Sequence, residues 1–242
     1  MSKKETVAAL RYAVNESNSL HASYVGRPDV AASYERFIEL QMAYFLPRYD
    51  DLRDRPGYSE AIDFVVSDLT GTRIAGRDRE LEKVVPLMTR VLPGKALSAL
   101  ATAMTLNARI LKINLGIASI LRSAIDSGNS VSERDYCEAS RQHASISDFD
   151  ELITMTRQAG ESLARIVRLP MIGSLLRSMR LPARMAGVLD LHEFLERGLA
   201  TFLALDDVPQ FLDIMEQRMR VVFSHVFEAP LESLDAQPIS SA

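Results

Sequence analysis

The segment ALSALATAMTLNARILKINLGIASILRSAI, residues 96–125, decides the fold class. Apolar residues recur in it at intervals of three and four, which is the spacing of one face of an α-helix. At about 1.5 Å per residue, such a helix spans about 45 Å, enough to cross a whole domain. A second apolar lane runs beside the first and comprises Leu106, Ile110, Ile113, Ile117 and Ile120. Because apolar side chains cover so much of its circumference, we expect this helix to be central and wrapped by others.

The rest of the chain also predicts helices. Its 11 glycines and 10 prolines separate segments rich in Leu, Ala, Met, Glu and Arg, which are good helix formers. We find no run of strict apolar–polar alternation and no Asn-Gly or Asp-Gly hairpin, so no β-sheet is expected. The prediction is an all-α, compact bundle of about 8–10 helices. We expect a single domain over residues 1–229, with a weak division near 127–132, and a disordered tail over 230–242.

Several helix boundaries follow from cap and proline patterns. Asp29 and Ser147 each precede an apolar-periodic segment and are expected to cap helices. The segment TGTRIAGRDRE, residues 70–80, is expected to form a loop, because its glycines and threonines break any period. Such a loop could also cradle a phosphate, although a turn that needs glycine is the preferred interpretation. Pro86 is expected to kink or split a helix, and Pro182 to begin a new one.

Charge and cysteine content limit the function classes. The formal net charge of -4 disfavours bulk binding of nucleic acid, so no nucleic-acid partner is predicted. One cysteine, Cys137, can form no internal disulfide, which predicts a reducing, cytoplasmic location. The first residues, MSKKETVAAL, contain no apolar signal-peptide core. No window reaches the roughly 18 uninterrupted apolar residues needed to span a bilayer, so no transmembrane segment is predicted.

The search for catalytic and metal-binding motifs gives only partial matches. HEFLE, residues 192–196, resembles the zinc motif H-E-x-x-H, but Glu196 stands where the second imidazole is needed. The acidic neighbours of Cys137 would raise its pKa rather than activate the thiol. No nucleotide-binding glycine motif is present. We therefore predict no catalytic residue, no metal and no cofactor. An enzyme whose site combines scattered carboxylates and histidines remains the least favoured of three hypotheses.

Two asparagines interrupt the apolar lane of the central helix. Asn107 and Asn114 lie seven residues apart, where a buried amide without partners costs roughly 1–3 kcal/mol. One interpretation makes them the polar groups of a ligand pocket inside the bundle. The other, which we favour, has each amide bonding a neighbouring helix and fixing its register.

A basic segment offers the other candidate site. RIVRLPMIGSLLRSMRLPARMAG, residues 165–187, contains five arginines and no acidic residue. The candidate anion or partner patch comprises Arg168, Arg177, Arg180 and Arg184. The favoured interpretation is a core hairpin whose arginines pair with acidic segments such as Asp50–Asp51, Glu193/Glu196 or Asp206–Asp207. An anionic ligand or partner site is the second, and peripheral membrane contact is disfavoured because no Trp or Phe anchors the segment.

Two passages carry a resemblance to a known family. DFVVSDLTGTRIAGRDRELEKVVPLMTRVLP, residues 63–93, and VRLPMIGSLLRSMRLPARMAGVLDLHEFLERGLATF, residues 167–202, resemble an uncharacterised bacterial family, the FFLEELY motif proteins. The name-giving run falls on residues 64–70; Phe64 and Leu69 match, as does the following Gly71, and Asp68 replaces a glutamate. Val65, Val66, Ser67 and Thr70 depart from it. The similarity covers roughly residues 61–211 and implies no activity.

These observations favour a non-enzymatic helical module that binds a protein partner, acts as a regulator or adaptor, or forms a homo-oligomer. Ten methionines are available for adaptable apolar contacts at such a surface. The alternative is a bundle that binds a small apolar or anionic ligand through the arginines and the two asparagines.

Overall fold

Helices account for nearly all secondary structure in the computed structural model, which describes residues 2–69 and 73–239. Within those ranges there are ten α-helices, two short 3₁₀ helices and no strand, which confirms the all-α prediction. The α-helices are α1 Lys3–Val25, α2 Pro28–Phe45, α3 Tyr58–Asp68, α4 Arg73–Val91, α5 Gly94–Asp126, α6 Glu133–His143, α7 Ile146–Val167, α8 Ile172–Met185, α9 Leu189–Ala204 and α10 Val208–Glu228. The 3₁₀ helices are Leu46–Leu52 and Leu231–Ser233.

The long helix α5 lies at the centre and packs against α1, α2, α6 and α7. Its first predicted lane faces the core, from Leu97 through Leu111 to Ile125. Gly128 ends it in a left-handed conformation, φ +69°, which glycine adopts without a Cβ clash. The second lane is only partly covered, since Ile110 and Ile120 are each 37% exposed. The wrapping that we expected is therefore incomplete along one edge of α5.

Three apolar clusters hold the bundle together. The largest joins α2, α6, α7 and α10 to the second half of α5 and includes Phe37, Ile117, Tyr136, Phe149 and Val226. A second joins α1, α4 and α9 to the first half of α5 and includes Leu10, Val14, Leu81, Leu97 and Leu191. A third lies where the 3₁₀ helix Leu46–Leu52 and α3 meet the start of α10 and includes Leu52, Tyr58, Leu205, Val208 and Phe211.

A glycine makes the junction between α3 and α9 possible. Gly57 precedes α3 with φ +77°, and a Cβ there would lie 2.5 Å from the backbone oxygen of Ala204 at the end of α9. Both the dihedral angle and the close approach therefore require glycine at this position.

Two predicted caps are wrong by two residues. Asp29 does not cap α2; the N-cap is Arg27, and Pro28 occupies the first helical position, where a missing N–H costs nothing. Ser145, not Ser147, caps α7 and forms a capping box with Asp148. Both serines have an aspartate three residues later, so the motif fits either start equally well.

The predicted loop over residues 70–80 is also wrong for its described part. Residues 73–80 belong to α4, which continues through Gly76 and, without a split, through Pro86. Residues 70–72, which include Thr70 and Gly71 of the FFLEELY run, lie outside the described residues.

Pro182 does not begin a helix as we expected. It lies inside α8, which continues to Met185. The chain instead turns at Gly187, φ +68°, where the amides of Gly187 and Val188 donate to the carbonyls of Arg184 and Ala183. This is the Schellman pattern of a helix C-terminus.

The segment after α10 packs against α6, which differs from the disordered tail that we expected. Leu234 is buried, and the amide of Ile239 donates to the carbonyl of Val131 at 2.9 Å. The amide of Asp235 donates to the carboxylate of Glu133 at 3.1 Å. Residues 231–239 thus lie along the start of α6, while 240–242 are outside the described residues.

Candidate functional site

A buried polar network surrounds Asn107. The Nδ2 group of Asn107 donates to Oδ2 of Asp78 at 3.0 Å and lies 3.1 Å from Oγ of Ser17. The hydroxyl of Ser17 donates to the same Asp78 oxygen. His21 Nε2 lies 3.0 Å from that oxygen, so one carboxylate of α4 receives donors from both α1 and α5.

The network continues from His21 to Tyr24. His21 Nδ1 lies 2.7 Å from the Tyr24 hydroxyl. In the tautomer that carries its proton on Nε2, His21 donates to Asp78 and accepts the Tyr24 proton at Nδ1. Burial, followed by the negative charge of Asp78, raises the pKa of Tyr24 to about 12. Tyr24 is therefore a neutral donor at any ordinary pH.

The connectivity of this network differs from that of a hydrolytic triad. Serine, histidine and aspartate are the residue types of a hydrolytic triad, in which histidine must accept the serine proton. Here Ser17 donates to Asp78 instead, so the serine–histidine contact of a triad is not formed. Ser17, His21 and Asp78 are all buried, and they line neither the groove at the end of α7 nor the groove beside Arg48 and Arg218. We name these residues and Asn107 the Asp78 network; it ties α1, α4 and α5 together.

Asn114 makes a simpler bridge. Its amide exchanges two hydrogen bonds with Gln41 of α2, at 3.1 and 3.2 Å, and Gln41 also donates to the Tyr136 hydroxyl. Both asparagines of α5 thus bond side chains of neighbouring helices, the arrangement expected if they fix register. Neither of them lines the groove at the end of α7 or the groove beside Arg48 and Arg218.

Sequence reasoning missed Ser17, His21 and Asp78 as members of the network around Asn107. The signal was present on α1, whose buried lane runs Leu10, Val14, Ser17, His21 and Tyr24 at helical spacing. Polar residues inserted into an apolar lane are the same signature that singled out Asn107. Asp78 was hidden because its segment was expected to be a loop.

The basic segment lies on the surface. Only Ala183 is buried in α8, which packs with one side on α9 and less closely on α7. The prediction that this segment is buried in the core is therefore wrong. Helix α8 does form a hairpin with α9, but one whole side of α8 faces outward.

The four predicted arginines are exposed and mostly unpaired. Arg180 lies 3.7 and 3.8 Å from carboxylate oxygens of Glu196 and Glu193, two of the partners that we expected, but its side chain is 62% exposed. Such long, solvated pairs contribute little to stability. Among the described residues, Arg168, Arg177 and Arg184 form no ion pair and donate no hydrogen bond to protein, so their positive charge is available.

Apolar side chains lie beside these arginines. Met185 is 79%, Met171 75% and Leu181 67% exposed, values well above those of most large apolar residues on the protein. Leu181 and Met185 are four residues apart and share a helix face, next to the face that carries Arg177 and Arg184. We name Arg177, Leu181, Arg184 and Met185 the α8 face.

A groove of about 480 Å³ lies where α7 ends and α10 begins. The two helices are antiparallel, since Phe149 contacts Phe227 near one end and Gly160 meets Leu212 near the other. Arg165 of α7 and Arg168, the residue directly after α7, line the groove. Of the four arginines predicted from sequence, Arg168 lies in this groove and the other three lie on α8.

The histidine and the cysteine of the partial motifs, His192 and Cys137, are both buried. His192 is buried, and its Nε2 lies 3.3 Å from Oε1 of Glu196 without hydrogen-bond geometry. Burial raises the pKa of the Cys137 thiol to about 11, with the charge of Glu133 adding to the effect. In residues 2–69 and 73–239, no cluster of three His, Cys, Asp or Glu is placed to hold a metal ion. No helix in those ranges combines the length and apolar character needed to cross a bilayer.

The fold and the surface define a class of protein: an all-α bundle with a buried polar network and a basic, partly apolar surface helix. The model of a family described as a domain of unknown function, DUF8198, matches residues 23–232. The match covers most of the chain, so the chain belongs to this family. No curated protein and no solved structure gives a significant match. The family description names no motif, and the FFLEELY resemblance stays a prediction.

Proposed function

We propose that the protein is a binding module that docks an acidic protein partner on the α8 face. The observation that carries the proposal is the outward side of α8, where unpaired arginines and exposed apolar residues recur at helical spacing. No acidic residue lies between Glu161 and Asp190, so this surface has one sign of charge over a long stretch of chain. Charge of one sign steers a partner of the opposite sign and selects against others.

The chemistry of the α8 face specifies the partner's surface. Arg177 and Arg184 are seven residues apart, or two helical turns, and guanidinium groups pair with carboxylates in bidentate geometry. Leu181 and Met185 lie alongside and need an apolar surface to cover them. Methionine adapts its shape to many partners. An amphipathic helix with acidic residues beside an apolar stripe satisfies both requirements.

A second copy of the chain fits this surface less well. Docking α8 against α8 would bring Arg177 and Arg184 of one copy close to the same arginines of the other, and like charges in contact are unfavourable. We therefore assign a different protein as the partner.

Site-specific photo-crosslinking tests the proposal. The crosslinker p-benzoylphenylalanine replaces Leu181 in the full chain, and in a matched control it replaces Tyr12, which is 70% exposed on α1. The expected result in host cells is one discrete adduct from position 181, absent from position 12, that mass spectrometry identifies as a protein with an acidic helix.

The purified pair then provides the quantitative test. We expect Arg177→Glu to weaken binding about tenfold, and added salt to weaken it further, because exposed charges are screened. Arg11→Glu, a charge reversal at another exposed arginine, on α1, is the control and should change nothing. Absence of an adduct, an adduct between two copies, or equal effects of the two reversals would contradict the proposal.

A further inference from the structure

We infer that the groove between α7 and α10 binds an amphiphilic anion, a carboxylate or phosphate that carries an alkyl chain. This site is separate from the α8 face and takes a different class of ligand. The lining residues that would contact the ligand are Ala164, Arg165, Arg168, Val208, Pro209 and Leu212.

The shape of the groove follows from the antiparallel packing of the two helices. At Gly160 the helices approach closely, since a Cβ there would lie 2.5 Å from Cδ2 of Leu212. Beyond this contact α10 starts at Val208, while α7 continues to Val167. The end of α7 therefore stands beside the start of α10 and leaves about 480 Å³ between them. That volume lies within the roughly 300–1,000 Å³ of small-molecule sites.

The charges of the groove favour an anion. Arg157 is engaged already, by Glu161, Asp213 and Glu216 at 2.6 to 3.0 Å. These contacts also occupy Glu161, the one carboxylate that lines the groove.

The two outer arginines are left for a ligand. Arg165 donates only to the Ser162 hydroxyl, at 3.0 Å, and Arg168 has no protein partner among the described residues. Asp207, next to the groove in sequence, accepts the amide proton of Gln210 as the cap of α10. Two guanidinium groups beside a groove whose other charges are paired match one carboxylate or phosphate.

The floor of the groove requires an apolar portion in the ligand. Ala164, Val208, Pro209 and Leu212 supply aliphatic surface, and no aromatic side chain or amide lines the site to stack or read a base or sugar. An anion without a chain would leave this surface wet, and a chain without a charge would leave the arginines unpaired. The combined chemistry selects a ligand that has both.

Calorimetric titration of the full chain with decanoate and with decyl phosphate tests the inference, and the two ligands show which head group is preferred. Decanol lacks the charge, and acetate lacks the chain. We expect saturable binding of at least one amphiphile and at least tenfold weaker binding of both controls. Replacing Arg165 and Arg168 by glutamine should weaken binding at least tenfold, since a hydrogen bond to a charged group is lost at each. Both side chains are exposed, so the variant keeps the fold, which circular dichroism verifies.

Arg184→Gln on α8 is the matched control and should bind normally. Three results would overturn the inference: no saturable binding, equal binding of decanol or acetate, or binding that survives the double substitution. An equal loss in Arg184→Gln would also overturn it, because the ligand would then be responding to α8.

Discussion

Replacement of Asp78 by alanine tests whether the Asp78 network holds three helices together. The substitution removes the carboxylate that Ser17, His21 and Asn107 share. Each of the three donors is then left in a buried or half-buried place without its partner, and an unsatisfied buried group costs roughly 1–3 kcal/mol. Some donors will find water after local relaxation. We therefore expect the free energy of unfolding to fall by about 3–5 kcal/mol.

Urea denaturation followed by circular dichroism measures this change. Asp213→Ala is the control, since Asp213 is an exposed carboxylate whose partner Arg157 keeps two other acidic contacts. The control should leave the free energy of unfolding nearly unchanged, because exposed ion pairs contribute little. A double-mutant cycle with Asn107→Ala isolates one bond of the network. Its coupling to Asp78 should be about 1.5–3 kcal/mol, the range of a hydrogen bond to a charged group.

Two results would refute this reasoning. A loss below about 1 kcal/mol for Asp78→Ala would mean that the donors need no carboxylate. Additivity of the two substitutions within about 0.5 kcal/mol would mean that Asn107 and Asp78 do not interact.

Three further predictions concern the backbone at Gly57, the thiol of Cys137 and the helix cap Ser145. Gly57→Ala should lower the free energy of unfolding, measured by urea denaturation, by about 2–4 kcal/mol. Roughly 1–2 kcal/mol of this comes from the left-handed φ and the rest from overlap of the Cβ with backbone. Gly128→Ala has a similar φ but open space around the Cβ, so it should lose only the part due to φ. Cys137 should resist iodoacetamide at pH 8 in the native protein, because its pKa is raised to about 11 and little thiolate forms. For the same reason, its contribution to stability is full below pH 9 and is lost as pH rises from about 9 towards 11. Ser145→Ala should lower the free energy of unfolding by about 1 kcal/mol. The Ser145 hydroxyl and amide hold the pKa of Asp148 below its ordinary value, so loss of the hydroxyl should raise that pKa, which NMR titration measures. In the wild type, the stabilisation from Asp148 is present above pH 4 and is lost as pH falls through its folded pKa.

Each of these has a clear contrary outcome. Equal losses for the two glycine variants would show that the α3–α9 junction tolerates a Cβ. Alkylation of Cys137 at the rate of the urea-unfolded chain would place the thiol at the surface. An unchanged Asp148 pKa in Ser145→Ala would assign its shift to the backbone amide of residue 145, which the substitution keeps, and to the charge of Arg109.

Local signals predicted the helices better than their ends. The apolar lane predicted the start of α5 to within two residues, because α5 is 33 residues long and so long an apolar period fixes which side chains face the core. Pro182 misled because a proline can remain in a helix when its neighbours accommodate the missing bond. Gly187 was the better signal, since only glycine readily takes the left-handed conformation that closes a Schellman turn.

The candidate sites depend on contacts that one chain segment does not reveal. Asn107 was recognisable as a polar interruption, but its partners come from helices separated from it by 29 and 90 residues. The exposure of the α8 face was not predictable, because an apolar and basic segment suits both a covered hairpin and a free surface. Which of the two occurs depends on how α7 and α9 pack, and that is a tertiary property.

The limits of the family match have a practical consequence for making fragments of this protein. A fragment cut to residues 23–232 would begin after Ser17 and His21 and would end before Leu234. Asp78 would then keep Asn107 as its remaining donor, and the apolar surface that Leu10 and Val14 cover would meet water. Expression fragments should therefore start at the cap residue Ser2 and extend through Ile239.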